Sequence, residues 1–151
     1  MVIFNVFIDQ LSKIWVRANL IPSLPEEIIG KKFIFQYVEN KGAFLGMGSD
    51  MNPVLHFIFL KLLPLLVLVY VIYYILKNKE LDRLSLIAFC CIVGGGLSNV
   101  FDRFAFGKVT DFLYIDLGGI FKTGIFNIAD VSVTTGMIIL IFSNFVFNKK
   151  K

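Results

Sequence analysis

The sequence predicts an α-helical membrane protein with four transmembrane helices and a small extracytoplasmic β-sheet. Its 151 residues are 57% hydrophobic and 17% charged, whereas soluble domains carry about 25% charged residues. Apolar runs that approach the ~20 residues needed to cross a bilayer recur along the chain. One connection between these runs alternates in the manner of a strand. A chain of this length is expected to form a single domain, 1–151.

The first predicted helix, 1–21, is interrupted by polar residues, which we expect to face a bundle interior: Asp9, Gln10, Lys13, Arg17 and Asn19. Asp9 and Lys13 are four residues apart in the order that favours a helical ion pair, so they are interpreted as structural. Eight residues precede Asp9, without a basic flank. We therefore expect either that this helix is truncated or that it begins upstream of Met1.

The other three predicted helices are more continuous apolar runs. The second, 53–76, is broken by His56 and Lys61, and the third covers 84–104. The fourth covers 125–147 and contains Asp130. Each is long enough to span the hydrocarbon core of a bilayer.

The extracytoplasmic sheet is predicted within 25–50. In "KFIFQYVEN", Lys32 to Asn40, aromatic residues alternate with other residue types, which is typical of a strand. The following "NKGAFLGMGSD" carries three glycines, which indicate turns.

Basic residues predict the orientation. Segment 77–83 holds three in seven residues and 148–151 holds three in four, whereas the two long connections hold six in 54. Short basic segments face the cytoplasm, so both termini are expected there and the long connections outside. The net charge of +4 is explained by this orientation and not by nucleic-acid binding.

Two aspartates are candidate catalytic residues. Asp111 lies in the second long connection, and Asp130 lies in the last apolar run, where an ionisable residue is rare and usually faces the protein interior. Nineteen positions separate them, enough for a loop that folds back and brings them together near the outer surface. Two carboxylates that share one proton form the aspartic-peptidase arrangement. Alternatively, Asp111 caps a turn and Asp130 bonds a neighbouring helix.

A polar cluster is predicted at the outer end of the third helix. Asn99, Asp102 and Arg103 share one helix face because they are three and four residues apart. Arg103 is available to pair with Asp102 or Asp111, or to donate to a substrate carbonyl. The alternative is a polar cluster that fastens the bundle.

Two further features bear on the site. "ENKGAF", Glu39 to Phe44, is a strand end and a turn in which Asn40 is able to offer its amide to an extended peptide. No metal site is predicted, because His56 is the sole histidine and the two cysteines, Cys90 and Cys91, are adjacent in an apolar run.

Four blocks resemble, in order, those of the lipoprotein signal peptidase (signal peptidase II) family: "DQLSK", "ENKGAF", "GGGLSNVFDRFAFGKVTDF" and "FNIADVSVTTG". The resemblance covers nearly the whole chain. It implies a bacterial aspartic endopeptidase of the plasma membrane, built from four helices with an outer β-cradle.

The resemblance also implies roles for individual residues. Asp111 and Asp130 become the catalytic dyad, and six others become substrate-binding or site-supporting: Asn40, Gly42, Asn99, Asp102, Arg103 and Asn127. Members of that family remove the signal peptide of prolipoproteins just before a cysteine that carries diacylglycerol. The implied partners are lipid-modified prolipoproteins and membrane lipids, and no cofactor is expected.

Two alternatives remain at the level of sequence. A proton- or cation-coupled transporter also uses intramembrane carboxylates, but here the polar residues gather at one membrane face and form no relay across it. A lipid or lipoprotein chaperone would use the same cleft to bind without cutting, and the presence of both aspartates favours the enzyme.

Overall fold

The computed structural model describes residues 1–43, 46–118 and 121–148, and for 144–148 the backbone alone. Phe44 of "ENKGAF" and residues 149–151 of the basic tail lie outside the described residues. The elements, in chain order, are α1 (Val2–Asn19), β1 (Pro25–Ile29), β2 (Phe33–Asn40), α2 (Pro53–Lys77), α3 (Arg83–Ala105), β3 (Val109–Ile115) and α4 (Ile128–Asn148).

Apolar helices make up most of the molecule. In the part of the chain that the structure describes, Pro53–Lys77 and Arg83–Ala105 are long and apolar enough to cross a membrane, and the Ile128–Ser143 part of α4 is apolar as well. Large apolar side chains cover the outside of the helices; Ile3 is 84% exposed and Leu76 is 75% exposed. Such a surface is typical of helices that contact lipid.

Helix α2 contains one irregular turn. Its residues Ile58–Leu62 form a π-helical segment immediately before Leu63–Lys77. Pro64 lacks an N–H and would clash with the carbonyl four residues earlier in a regular helix, so the wider turn accommodates it. This segment carries Lys61, whose Nζ lies 5.6 Å from the centre of the Phe104 ring on α3.

Helix α3 lies at the centre and contacts each of the other three helices. It approaches α4 at backbone distance, because a Cβ on Gly95 would lie 2.3 Å from the carbonyl oxygen of Ala129. A Cβ on Gly136 would lie 2.6 Å from the carbonyl oxygen of Ala88. Small residues allow this close helix packing in membranes, and here it brings the second half of α3 against the start of α4.

The sheet is antiparallel, in the order β1–β2–β3. Strand β2 was predicted almost to the residue. The predicted region 25–50 contains β1 and β2 and, as its glycines indicated, turns and bends at 42–43 and 47–50. It did not include β3, which the sheet also uses. The first five residues of β3 are all buried. A strand buried on both faces does not alternate, which explains why the pattern did not reveal it.

Strand β2 contains a β-bulge opposite Asp111. Val38 pairs with Asp111 and Phe35 pairs with Leu113, so β2 has one extra residue between these pairs. A bulge bends the strand and redirects side chains, and bulges are frequent beside active sites. Behind the sheet, a buried cluster joins it to the end of α1: Val16, Leu20, Tyr37, Phe112 and Leu113.

Helix α4 begins at Ile128, three residues later than predicted. Phe126 is held in extended conformation by two hydrogen bonds with Leu113, at 2.8 and 2.9 Å. Asn127 then accepts the N–H of Asp130 at 2.9 Å through its side-chain oxygen, as a helix N-cap does. Asp130 therefore lies in the first turn of α4, not a turn and a half into it as the predicted boundary implied.

Candidate active site

Asp111 is placed by β3 and is 4% exposed. Its Oδ1 accepts a hydrogen bond from Asn127 Nδ2 at 2.6 Å, and its Oδ2 accepts one from Asn40 Nδ2 at 3.0 Å. Burial raises the pKa of Asp111 to about 6, and the nearby charge of Asp130 adds to the rise, against the opposing effect of the bonds from Asn40 and Asn127. Asn40, which was expected to offer its amide to a peptide, here uses Nδ2 to donate to Asp111 and to the Ala43 carbonyl.

Asp130 is held at the start of α4. Its Oδ1 accepts from Asn99 Nδ2 at 2.8 Å, and its Oδ2 accepts from the backbone N–H of Asn127 at 3.1 Å. The first turn of a helix carries the positive end of the helix dipole, which stabilises a negative charge there. Asn99 and Asn127 thus present donors to both oxygens of this carboxylate.

Asn127 joins the two aspartates. This fully buried residue donates to Asp111 through its side chain and to Asp130 through its backbone. Both carboxylates line one cavity of about 70 Å³, well above the ~10–15 Å³ that one water needs. The full lining is Asn40, Ala43, Asn99, Arg103, Val109, Asp111, Ile125 and Asp130. The structure therefore brings together the two aspartates that the sequence singled out.

A buried ionic network lies behind this cavity. Lys13 is fully buried, and its Nζ lies 2.7 Å from Asp9 Oδ2, 2.8 Å from Asp102 Oδ2 and 2.8 Å from Asn99 Oδ1. Asp9 also accepts from Ser98 Oγ at 2.7 Å and from the backbone N–H of Ala129 at 2.7 Å. The predicted Asp9–Lys13 pair is confirmed, and the network ties α1 to α3 and α4.

Arg103 faces the cavity from α3. Its guanidinium donates to the Gly42 carbonyl at 3.2 Å, and its buried Nε has no hydrogen-bond partner among the described residues. Within those residues it forms no ion pair with Asp102 or Asp111, so neither predicted pairing is present. Gly42 leaves no room for a side chain, because a Cβ there would lie 2.4 Å from the backbone of Gly46.

Sequence analysis placed Gln10 and Arg17 toward the bundle interior but assigned them no role at the site. Gln10 donates to Ser98 Oγ at 2.8 Å and to Asp102 Oδ1 at 3.0 Å. Arg17 donates to Thr110 Oγ1 at 2.8 Å, beside Asp111 on β3. The helical spacing of Asp9, Lys13 and Arg17 indicates that they share one face of α1. It does not identify their partners, which are distant in sequence. No group of three or more His, Cys, Asp or Glu is placed to hold a metal ion in the described ranges.

One protein-family model covers nearly the whole chain. The family model described as signal peptidase (SPase) II matches residues 1–146. The chain belongs to the signal peptidase II family.

Curated relatives support membership of the signal peptidase II family. A lipoprotein signal peptidase of Clostridium novyi is 34% identical over 92% of this chain and 90% of the relative. One of Clostridioides difficile is 35% identical over 99% of this chain and 95% of the relative. One of Psychromonas ingrahamii is 35% identical over 95% of this chain and 82% of the relative.

Solved structures share the fold. One is described as a bacterial membrane enzyme determined by the in meso method at 2.3 Å resolution; it superposes with a TM-score of 0.87 and 26% identity over 99% of this chain and 88% of that one. A second, described in the same words at 1.9 Å resolution, gives a TM-score of 0.80. Membership of the signal peptidase II family identifies a protease and sets the transporter alternative aside.

Proposed function

We propose that this chain is an aspartic endopeptidase that removes the signal peptide of diacylglyceryl-modified prolipoproteins, cutting just before the lipidated cysteine. One observation carries the proposal. Two carboxylates, the buried Asp111 and the half-buried Asp130, are held by Asn127 around a single cavity with room for water. The family relationship supplies the substrate class, since its curated relatives are named lipoprotein signal peptidases.

The surroundings of the two carboxylates differ, which supports different roles. Asp111 retains a proton more readily than an ordinary carboxyl, because burial raises its pKa to about 6. Asp130 accepts two hydrogen bonds at a helix N-terminus, which favours a bound negative charge. We assign Asp111 as the acid and Asp130 as the base.

In the first step, Asp130 takes a proton from water while the water oxygen bonds to the scissile carbonyl carbon. Asp111 gives its proton to the carbonyl oxygen, which produces a neutral tetrahedral diol. The C–N bond then breaks as the nitrogen takes the proton from Asp130, and Asp111 recovers a proton from a hydroxyl. Two carboxyls and one water therefore complete the reaction without a cofactor.

Arg103 and the asparagines serve this chemistry in the proposal. The guanidinium of Arg103, whose Nε is buried and without a partner among the described residues, lines the same cavity and has donor capacity left for a substrate carbonyl. Asn40 and Asn99 orient Asp111 and Asp130, and Gly42 holds Arg103 through its carbonyl. Asp102 supports the site indirectly through Lys13.

An apolar groove gives the substrate a path from the membrane. It runs along α2, α3 and α4, has a volume of about 550 Å³ and reaches Asp130 at one end. Its lining includes Leu68, Val100, Val133 and Met137. The apolar segment of a signal peptide fits an apolar groove of this kind. The cleavage site of the substrate then lies at the carboxylates.

We further propose the membrane arrangement of the chain, a single integral-membrane domain over 1–151. All four helices cross the bacterial plasma membrane, both termini are cytoplasmic, and the sheet lies outside. The buried cluster that joins the end of α1 to the sheet, together with the position of Asp130 at the start of α4, supports a site near the extracytoplasmic face. A lipid-anchored cysteine is accessible from that position.

Cleavage of a purified diacylglyceryl-modified prolipoprotein tests the proposal. Asp111→Asn and Asp130→Asn are each expected to lower kcat by ~10²–10⁴-fold, the usual loss for an acid or base, while the proteins remain folded. Asp116→Asn is the matched control, because Asp116 pairs with Lys122 on the surface at 2.9 Å. Near-normal turnover by either dyad variant, or cleavage of the prolipoprotein without its lipid at the same rate, would contradict the proposal.

A further inference from the structure

The segment 123–126 extends the sheet beyond β3. Thr123 donates its backbone N–H to the Ile115 carbonyl at 2.9 Å. Phe126 and Leu113 exchange two backbone hydrogen bonds, at 2.9 and 2.8 Å. Thr123 and Phe126 both direct their N–H groups to β3 although they are three residues apart, so regular strand alternation is broken between them. In the trans peptide that joins Ile125 to Phe126, the C=O and the N–H point in opposite directions. Because the N–H of Phe126 points to β3, the C=O of Ile125 points away from β3.

The opposite side is where the catalytic carboxylates lie. The C=O of Phe126 points to β3, so the N–H of Asn127 in the same peptide points away from β3. This N–H donates to Asp130 Oδ2 at 3.1 Å. Two residues of extended chain span roughly 6.5 Å, so Ile125 lies about that far along the chain from the contact between Asn127 and Asp130. Ile125 also lines the cavity that contains Asp111 and Asp130.

The backbone of Ile125 is open on that side. Neither its N–H nor its C=O is hydrogen bonded to any residue that the structure describes. It forms one wall of a groove of about 420 Å³, within the usual range for ligand sites, whose other wall is the end of β2 with the turns after it. Val38, Asn40 and Ser49 belong to that wall, and Asp111 lies in the groove as well.

We propose that the C=O of Ile125 accepts a hydrogen bond from the substrate peptide backbone, which adds to this edge as an extended strand beside the catalytic carboxylates. This mode of recognition is β-strand addition, in which main-chain hydrogen bonds supply affinity. The inference rests on the proposed peptidase function. It has a chemical consequence: main-chain bonds do not depend on side chains, so one groove accepts cleavage regions of different sequence.

Amide-to-ester replacement in the substrate tests the edge directly and leaves the enzyme unchanged. A diacylglyceryl-modified lipopeptide is made with one backbone N–H at a time replaced by an ester oxygen across the cleavage region, while the scissile bond stays an amide. Cleavage at that bond is followed by mass spectrometry to obtain kcat/KM. Because alternate residues of an added strand face the edge, one replacement is expected to lower kcat/KM by roughly 2- to 13-fold, the effect of one hydrogen bond. Its two immediate neighbours are expected to leave kcat/KM unchanged.

The outcomes separate this inference from the function on which it rests. If the all-amide lipopeptide is not cleaved, the proposed peptidase function is wrong, and the proposed binding of the substrate backbone at Ile125 is wrong with it. If the all-amide lipopeptide is cleaved but every ester is cleaved equally well, the edge alone is overturned. Losses at consecutive residues, without alternation, would also overturn it, because a strand on one edge bonds at every second residue.

Discussion

The ammonium of Lys13 lies 2.8 Å from the side-chain oxygen of Asn99. An ammonium donates only, so this contact fixes which end of the Asn99 amide is the oxygen. The amide nitrogen must then point the other way, where it donates to Asp130 at 2.8 Å. A fully buried residue on α1 thereby orients a donor to a proposed catalytic carboxylate on α4.

Asn99→Ala removes the donor to Asp130 and leaves Lys13 paired with Asp9 and Asp102. A hydrogen bond to a charged group contributes about 1.5–3 kcal/mol, so kcat is expected to fall by roughly 10- to 150-fold while the protein stays folded. Steady-state cleavage of a lipid-modified prolipoprotein measures this. Asn19→Ala is the control, because the Asn19 side chain is exposed and bonds its own helix at Trp15. A full-rate Asn99 variant would show that the donor is dispensable.

Lys13→Met leaves Asp9 and Asp102 buried without their cation. Breaking a buried pair from one side typically costs about 3–5 kcal/mol, so thermal unfolding in detergent is expected at a markedly lower temperature. Lys122→Met is the matched control: its partner Asp116 is on the surface, and Lys122 is 53% exposed. We expect little change in the unfolding temperature of Lys122→Met. Equal effects of the two substitutions would mean that the network on α1 adds nothing beyond a surface ion pair.

Stability should depend on pH through Asp111, because burial raises its pKa from 3.8 to about 6. Well below pH 4 this carboxyl is protonated in both the folded and the unfolded chain. As pH rises to 6, the unfolded chain loses the proton first, so the folded state loses roughly 2–3 kcal/mol relative to it. Asp111→Asn removes this loss, and its melting temperature relative to wild type should rise between pH 4 and 7.

Asp116→Asn provides the comparison for that pH series. Hydrogen bonding to Lys122 lowers the pKa of Asp116, so its stabilising contribution is present at neutral pH and disappears as pH falls. The melting temperature of this variant relative to wild type should therefore change in the opposite direction. Parallel curves for wild type and Asp111→Asn across the range would contradict the raised pKa.

Gly95→Ala tests the contact between α3 and α4. The new Cβ would lie 2.3 Å from the Ala129 carbonyl oxygen, so the helices must separate and Asn99 must move from Asp130. We expect lower thermal stability together with a lower kcat. Gly96→Ala is the control for thermal stability alone, because its Cβ would meet the end of the flexible Leu68 side chain at 2.6 Å. If Gly95→Ala kept full activity, the backbone contact would not be what sets the site.

Reporter insertions test the proposed orientation. A reporter inserted at Asn78, after α2, should read as cytoplasmic, and one inserted at Asp50 should read as extracytoplasmic. The basic residues of 77–83 predict this arrangement. A cytoplasmic reading at Asp50 would place the sheet and Asp111 on the wrong side of the membrane for a lipoprotein substrate.

Much of the site was predicted from sequence, because polar residues are rare in membrane-spanning apolar runs and are therefore easily recognised there. Asp130 was selected as a carboxylate in an apolar run, and Asn99 and Arg103 by helical spacing. The contact between Asp130 and Asn99, at 2.8 Å, agrees with these choices. Arg103 was identified, but its partner was not: the carbonyl of Gly42 is a backbone group that no side-chain pattern reports.

Hydropathy and helical period predicted the four helical segments, the strand at β2 and the polar face of α1, because these patterns record which residues must avoid water or lipid. Tertiary structure decided the rest. The bulge opposite Asp111, the late start of α4 at Ile128 and the outward C=O of Ile125 all follow from pairing with β3. Strand register, and the side to which each backbone N–H and C=O points, depend on contacts between residues distant in sequence. A local sequence pattern contains no information about which distant residues will come into contact.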